Sequence, residues 1–165
     1  MPTSTEKSTT SAALRSPSFA GLRPASEAAS RAKQANRKRD SLPERLLRRA
    51  LWRLGQRYRK YGKALPGNPD LVFSGPRVVV FCDGDFWHGR QWTILKEKLR
   101  RGTNAPYWLA KIARNRQRDC DNTAALEQDG WLVLRLWETD IKKNPLAAAQ
   151  LIQQAVWSRT CSQSK

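Results

Sequence analysis

The chain is 165 residues long and carries 31 Lys or Arg against 14 Asp or Glu, a formal net charge of +17. This length suits one domain with a tail and can bury a core without staples. Cys82, Cys120 and Cys161 form an odd set without C-x-x-C spacing, which excludes a disulfide framework and a thiolate zinc finger; no run approaches the roughly 18 apolar residues a membrane-spanning helix needs.

Residues 1–40 hold eight Lys or Arg, three Asp or Glu and seven Ser, with almost no large apolar side chains. Such a segment cannot bury enough apolar surface to offset its ordering entropy, so it is predicted to be a disordered basic tail. Its end, Arg31, Lys33, Arg37, Lys38 and Arg39, reads either as a solvated run or as an arm lying on DNA phosphates. Residues 41–165 contain all seven tryptophans, remain basic and are predicted to be the folded domain. No apolar leader segment of about 7–15 residues precedes it, which predicts a reducing, cytoplasmic setting. The charge favours a polyanionic partner, with nucleic acid the default.

Within the domain, Ser41-Leu42-Pro43-Glu44 signals a helix start, with Pro early and Glu three positions after Ser. Leu46, Leu47, Ala50, Leu51 and Leu54 then supply one apolar face at helical spacing. Leu65 to Pro69 is a loop. Leu71-Val72-Phe73 and Val78-Val79-Val80-Phe81 read as two strands joined at Ser74-Gly75-Pro76. Asp83 to Trp92 mixes Gly, charge and aromatics without a period and is predicted to be a loop. A short basic helix over Thr93–Arg101 follows, then a long one from Asn104 to about Gln128, closed by Gly130. Trp131–Trp137 suits a buried strand, and Asn144-Pro145 opens a last helix to about Trp157. The order predicts an α/β fold with a mixed sheet flanked by helices.

The chemistry concentrates between Pro66 and Trp92. Asp70 sits at a strand entrance, and Asp83 and Asp85 lie just past the end of the next strand. If the hairpin diverges there, Asp70 and Asp83 can face one another and, with a backbone carbonyl, suit a hard cation such as Mg²⁺. His88, the one histidine of the chain, follows as a proton shuttle. The same residues also read blandly, as a turn cap, two surface carboxylates and an exposed histidine. Phe86 and Trp87 are costly to expose in a polar loop; they either wedge between base pairs or fold back onto the core. On the long helix, Trp108, Ile112, Asn115 and Asp119 share one face and Lys111, Asn115 and Arg118 an adjoining one. Arg114, Arg116 and Arg118 either contact phosphates or solvate the helix.

Four ordered segments resemble motifs of the very-short-patch-repair (Vsr) DNA mismatch endonucleases. Leu65-Pro66-Gly67-Asn68-Pro69-Asp70 with Leu71-Val72-Phe73 resembles "LPGRPDFV", and Val80 to Gly89 resembles the segment around "GCFWH". Tyr107 to Ile112 with Asn115, Arg118 and Asp119 resembles "FWxxKIxxNxxRD", and Gly130 to Glu138 resembles "GWxVLxxWE". The resemblance spans about residues 40–140. It implies a restriction-endonuclease-like fold and a Mg²⁺-dependent enzyme that nicks one strand of double-stranded DNA beside a T·G mismatch.

By the same resemblance, Asp70 is the metal-bridging carboxylate and Cys82 gives its backbone carbonyl to the metal. His88 is catalytic, Phe86 and Trp87 wedge into DNA, and Glu44 is a helix glutamate near the site, a role that competes with helix capping. Asp83 stands where the best-known members have a histidine and is expected in the metal shell or the proton relay. Lys111, Asn115, Arg118, Arg37, Lys38 and Arg39 are expected on DNA. Those members also hold a structural zinc, at positions that here read Arg90, Trp92, Asp119 and Thr139; one carboxylate cannot hold zinc, so none is expected. Two rivals stand beside this reading: a restriction-like endonuclease acting on intact or foreign duplex, and a catalytically inactive DNA-binding protein. The enzyme is expected to work as a monomer, away from membranes.

Overall fold

A computed structural model of the chain describes Gly21 and residues 39–163. Arg31, Lys33, Arg37, Lys38 and the rest of the expected tail up to residue 38, Gly21 apart, lie outside the described residues. Nine elements follow in order: α1 (Leu42–Arg53), β1 (Arg59–Lys60), β2 (Leu71–Phe73), β3 (Val78–Asp83), α2 (Trp92–Arg100), α3 (Ala105–Gln128), β4 (Leu132–Trp137), α4 (Glu138–Lys143) and α5 (Pro145–Gln163).

The strands form one sheet in the order β1-β2-β3-β4. β1 with β2 and β2 with β3 are antiparallel, whereas β3 and β4 are parallel, so the sheet is mixed as expected. Side chains alternate across a strand, and the two faces gather different partners. Leu71, Phe73, Val78 and Val80 pack with Leu47 and Leu51 of α1, Ile141 of α4 and Ile152 of α5. Val72, Val79 and Phe81 pack with Leu126 of α3 on the opposite face. Phe81 pairs with Arg135 across β3 and β4, and Asp83 with Trp137. On the α3 face the apolar layer therefore turns polar toward the C-terminal ends of these two strands.

Three expectations are corrected. Asp83, placed in the loop by its polar neighbours, is the last residue of β3 and is buried. β4 is half-buried throughout rather than buried, because among the described residues it forms the sheet edge and pairs only with β3. The final helix runs on to Gln163. The two-residue β1 and the short α4 carry no periodic signal and were not legible. No helix among the described residues is long and apolar enough to cross a membrane.

Candidate active site

Asp70 is held where β2 begins. Its backbone N–H donates to the Val80 carbonyl at 2.9 Å, and its carboxylate Oδ2 accepts the Cys82 N–H at 2.7 Å. A paired strand residue directs its N–H and C=O to the same edge, so the Cys82 carbonyl points to the β2 edge of β3, the edge from which Asp70 accepts the Cys82 N–H. Burial pushes the Asp70 carboxyl up to about 6; the Cys82 N–H opposes this, and the charges of Glu44 and Asp83 add to it. The Cys82 thiol belongs to the apolar layer on the α1 face, and burial raises it well above its ordinary value. Its side chain offers no reactive thiolate at neutral pH.

Glu44 is only 6 % exposed. It accepts hydrogen bonds from Ser41 N at 3.2 Å, Ser41 Oγ at 2.7 Å and Asp40 N at 3.1 Å, while Arg48 and Tyr61 donate at 3.4 Å each. The helix-capping reading of Glu44 and the near-site reading thus meet in one side chain. It caps α1 and its charge reaches Asp70.

A second cluster lies on the α3 face. His88 Nδ1 donates to Asp119 Oδ2 at 2.6 Å and stands 3.6 Å from Asp83 Oδ1. Burial opposes ionisation of Asp119, but the His88 hydrogen bond and the charges of His88, Arg135 and Arg118 hold its carboxyl below its usual range. A carboxylate only accepts, so Nδ1 carries the proton. Among the described residues Nε2 has no hydrogen-bond partner. Arg135 clasps Asp83 with Nε at 2.6 Å and Nη2 at 2.8 Å. A cleft of roughly 440 Å³ opens beside the group, lined in part by His88, Asp119, Arg116 and Trp137.

The expected face of α3 is real, and each of its residues supports the 84–91 loop. Trp108 packs against Phe86 and Trp87 with ring centroids at 5.4 and 5.8 Å. Ile112 is fully buried. Asn115 Nδ2 donates to the Trp87 carbonyl at 2.9 Å, and Asp119 takes His88. Gly89 closes the loop at φ +69°, where a Cβ would stand 2.8 Å from Arg116 Cδ and 3.0 Å from Ile112 Cγ2. Phe86, 36 % exposed, is the outward member of the aromatic group, and Trp87 is half-buried. The two rings thus differ in exposure, Phe86 facing outward and Trp87 packed further in. Lys111 is half-buried and Arg118 exposed on the same helix; Arg39 lies over the Tyr61 ring at 5.2 Å.

The structure separates residues that the sequence reading grouped. Asp70 and Cys82 meet at one corner, whereas Asp83 joins His88, Asp119 and Arg135 instead. Arg135 donates to both Asp83 oxygens, so this side chain has a guanidinium as its neighbour where the sequence reading expected a cation. Among the described residues no three His, Cys, Asp or Glu side chains converge as a metal-binding group. Arg135 was missed because it sits in an apolar run; only the parallel register of β4 against β3 brings it to Asp83.

The positions matched to zinc ligands also part. Asp119 belongs to His88, whereas Arg90 and Thr139 gather on Asp85. Arg90 Nη1 lies 3.3 Å from Asp85 Oδ1 and Nη2 lies 2.8 Å from Asp140 Oδ1, and the Thr139 hydroxyl donates to Asp85. Trp92 carries the Arg116 guanidinium over its ring at 5.4 Å. A guanidinium cannot ligate zinc, so this donor set does not fit the metal. Purified protein should contain well under one zinc per chain, and a zinc chelator should leave its melting temperature unchanged. Elemental analysis finding one zinc per chain would refute this.

The family model of the DNA mismatch endonuclease Vsr matches residues 25–94. A type II nicking enzyme of Neisseria meningitidis serogroup C is 42% identical over 123 residues, covering 74% of this chain and 82% of the relative. One from Haemophilus parainfluenzae is 38% identical over 127 residues, 77% of this chain and 89% of the relative. The DNA mismatch endonuclease Vsr of Escherichia coli strain K12 is 35% identical over 104 residues, 63% and 65% of the two chains. With a mixed sheet between helices and these relatives, the chain belongs to the DNA mismatch endonuclease Vsr family, with its restriction-endonuclease-like fold, and is a DNA endonuclease.

Proposed function

We propose that the chain nicks one strand of double-stranded DNA at T·G mismatches, as a Mg²⁺-dependent monomer in the cytoplasm, in very short patch repair. The observation that carries this reading is the Asp70–Cys82 corner. Burial, with the charges of Glu44 and Asp83 nearby, raises the Asp70 carboxyl to about 6, and a cation would relieve that cost. Mg²⁺ is commonly held by one or two carboxylates, waters and substrate phosphates rather than by an all-protein cage. The Asp70 carboxylate and the Cys82 backbone carbonyl fit that demand without a second side chain. When bound, the metal supplies Lewis-acid stabilisation of the developing phosphate charge.

The remaining work falls to the chain itself. His88, with Nδ1 tied to Asp119, offers Nε2 to take a proton from water or give one to the leaving oxygen. Asn115 and Trp108 hold the 84–91 loop that carries it. Lys111, Arg118 and Arg39, with Arg37 and Lys38 outside the described residues, contact phosphates and make affinity salt-dependent. The relatives' names, nicking enzymes, favour a nick over a double-strand cut. Supercoiled plasmid and oligonucleotide duplexes with and without one T·G pair test the reading. Cleavage of both strands of paired duplex would favour the restriction-like rival, and no cleavage with retained binding the inactive one.

Phe86 is the side chain best placed to wedge at the mismatch, since it is the exposed member of the aromatic group. Stacking of a base on an aromatic ring is worth about 1–3 kcal/mol. Phe86→Ala should therefore lower the preference for T·G over paired duplex by about 10- to 100-fold while leaving salt-dependent non-specific binding in place. Trp87→Ala, which empties a half-buried position, should lower the melting temperature more. Competition binding and thermal melting check both; an unchanged mismatch preference in Phe86→Ala would remove the wedge.

A further inference from the structure

We infer that Arg135 is a positioning residue for the nicking reaction, fixing through Asp83 and Asp119 the one ring setting of His88 in which Nδ1 is held by Asp119 and Nε2 is left for the DNA. The inference rests on the reading of His88 as the proton-transfer group.

His88 Nδ1 has two carboxylates within reach, Asp119 at 2.6 Å and Asp83 at 3.6 Å. Left to themselves, two acceptors compete for one N–H and the ring has two settings. Arg135 tips the competition toward Asp119. Its Nε and Nη2 occupy both oxygens of Asp83, and Nη2 also lies 3.2 Å from Asp119 Oδ1. Three of the four carboxylate oxygens thus face the guanidinium, and the fourth, Asp119 Oδ2, accepts from His88. Imidazole Nδ1 is spoken for and Nε2 is left as the working nitrogen.

The guanidinium is itself fixed. Its central carbon sits 4.7 Å from the centroid of the Phe81 ring, and the register pairs Phe81 with Arg135. Its planar fork spans both carboxylates, which a lysine ammonium cannot do in the same geometry. With Nε and Nη2 of Arg135 committed to carboxylates, its loss should act more on turnover than on DNA affinity.

A simpler role must be separated from this one. Asp83 is 3 % exposed, and Arg135 could serve only as its counter-ion, since a buried charge stripped of its partner destabilises the fold. Arg135→Met would then fail through instability. The double variant Asp83→Asn/Arg135→Met removes both charges together, and should recover most of the melting temperature lost in Arg135→Met. On the positioning role it stays slow, because Asp119 and His88 remain without the clamp.

Displaced catalytic geometry can cost about 100-fold in rate. We expect the double variant to lose about 100-fold in kcat with KM for duplex changed less than about 3-fold, and Arg135→Lys to recover only part of the loss. Because His88 is the one histidine of the chain, imidazole ¹⁵N resonances of untagged protein report it without assignment. The parent should show one sharp pair of imidazole resonances with Nδ1 protonated, and the double variant resonances broadened by exchange between two ring settings. A double variant with parental kcat and a parental spectrum would overturn the positioning role and leave Arg135 a counter-ion. His88→Ala run in parallel separates the two readings. If it nicks at the parental rate, the reading of His88 fails and takes this inference with it; if it is inactive, a failure of the Arg135 test concerns Arg135 alone.

Discussion

Asp70→Asn is expected to nick DNA about 10³-fold more slowly than the parent and yet to melt at a higher temperature above pH 6. The rate loss follows from removing the side chain proposed to hold the metal. Lewis-acid stabilisation is worth several kcal/mol, and each 1.4 kcal/mol is about tenfold. The stability gain follows from the raised carboxyl. Folded Asp70 keeps its proton up to about 6, against an ordinary 3.8. Between those values the native state binds more protons than the unfolded one, so stability falls as pH rises. The full cost, up to about 3 kcal/mol, is present above pH 6 and absent below about pH 4. Asparagine carries no charge and escapes it, while its amide oxygen can still accept the Cys82 N–H. In a domain of this size the gain is on the order of 5–10 °C.

Adding Mg²⁺ should raise the melting temperature of the parent by mass action and leave that of Asp70→Asn unmoved. DNA affinity should stay within about threefold, since the phosphate contacts remain. A variant that nicks at close to the parental rate would move the site elsewhere.

His88→Ala should lower kcat by about 10²–10⁴-fold, the range for a positioned general acid or base. Asp119→Asn should cost less, because the imidazole remains and only its partner weakens. In neither variant should KM for duplex change by more than about threefold. Single-turnover nicking under saturating enzyme separates the chemical step from binding. A parental single-turnover rate in His88→Ala would contradict the proposed role.

Much of this architecture was legible in the sequence because it is local. The Ser41–Glu44 capping signal, the apolar face through Leu51, the Val-rich strand pair and the glycine at Gly130 each announce an element within a few residues. The face of α3 from Trp108 to Asp119 was legible from spacing alone, since residues three and four apart meet on one side of a helix. What the sequence hid is what the sheet assembles. Arg135 looks like an interruption in an apolar strand until the parallel register places it beside Phe81 and Asp83. Asp119 was grouped with Arg90 and Thr139 through motif position, whereas three-dimensional proximity gives it to His88 and gathers Arg90 and Thr139 on Asp85. Glu44 carries two readings that look like alternatives; its carboxylate caps α1 and its charge raises the Asp70 carboxyl, so the one does not exclude the other.

The proposed reaction is a metal-dependent nick directed by a T·G pair. The most direct measurement labels each strand of a duplex separately and follows cleavage with Mg²⁺, and with EDTA in excess, on one duplex containing a single T·G pair and on its fully paired counterpart. We expect one labelled strand of the mismatched duplex to be cut beside the T·G pair, the other strand to stay intact, the paired duplex to react far more slowly, and EDTA to stop the reaction. Equal cleavage of paired and mismatched duplex, or undiminished cleavage in EDTA, would contradict it.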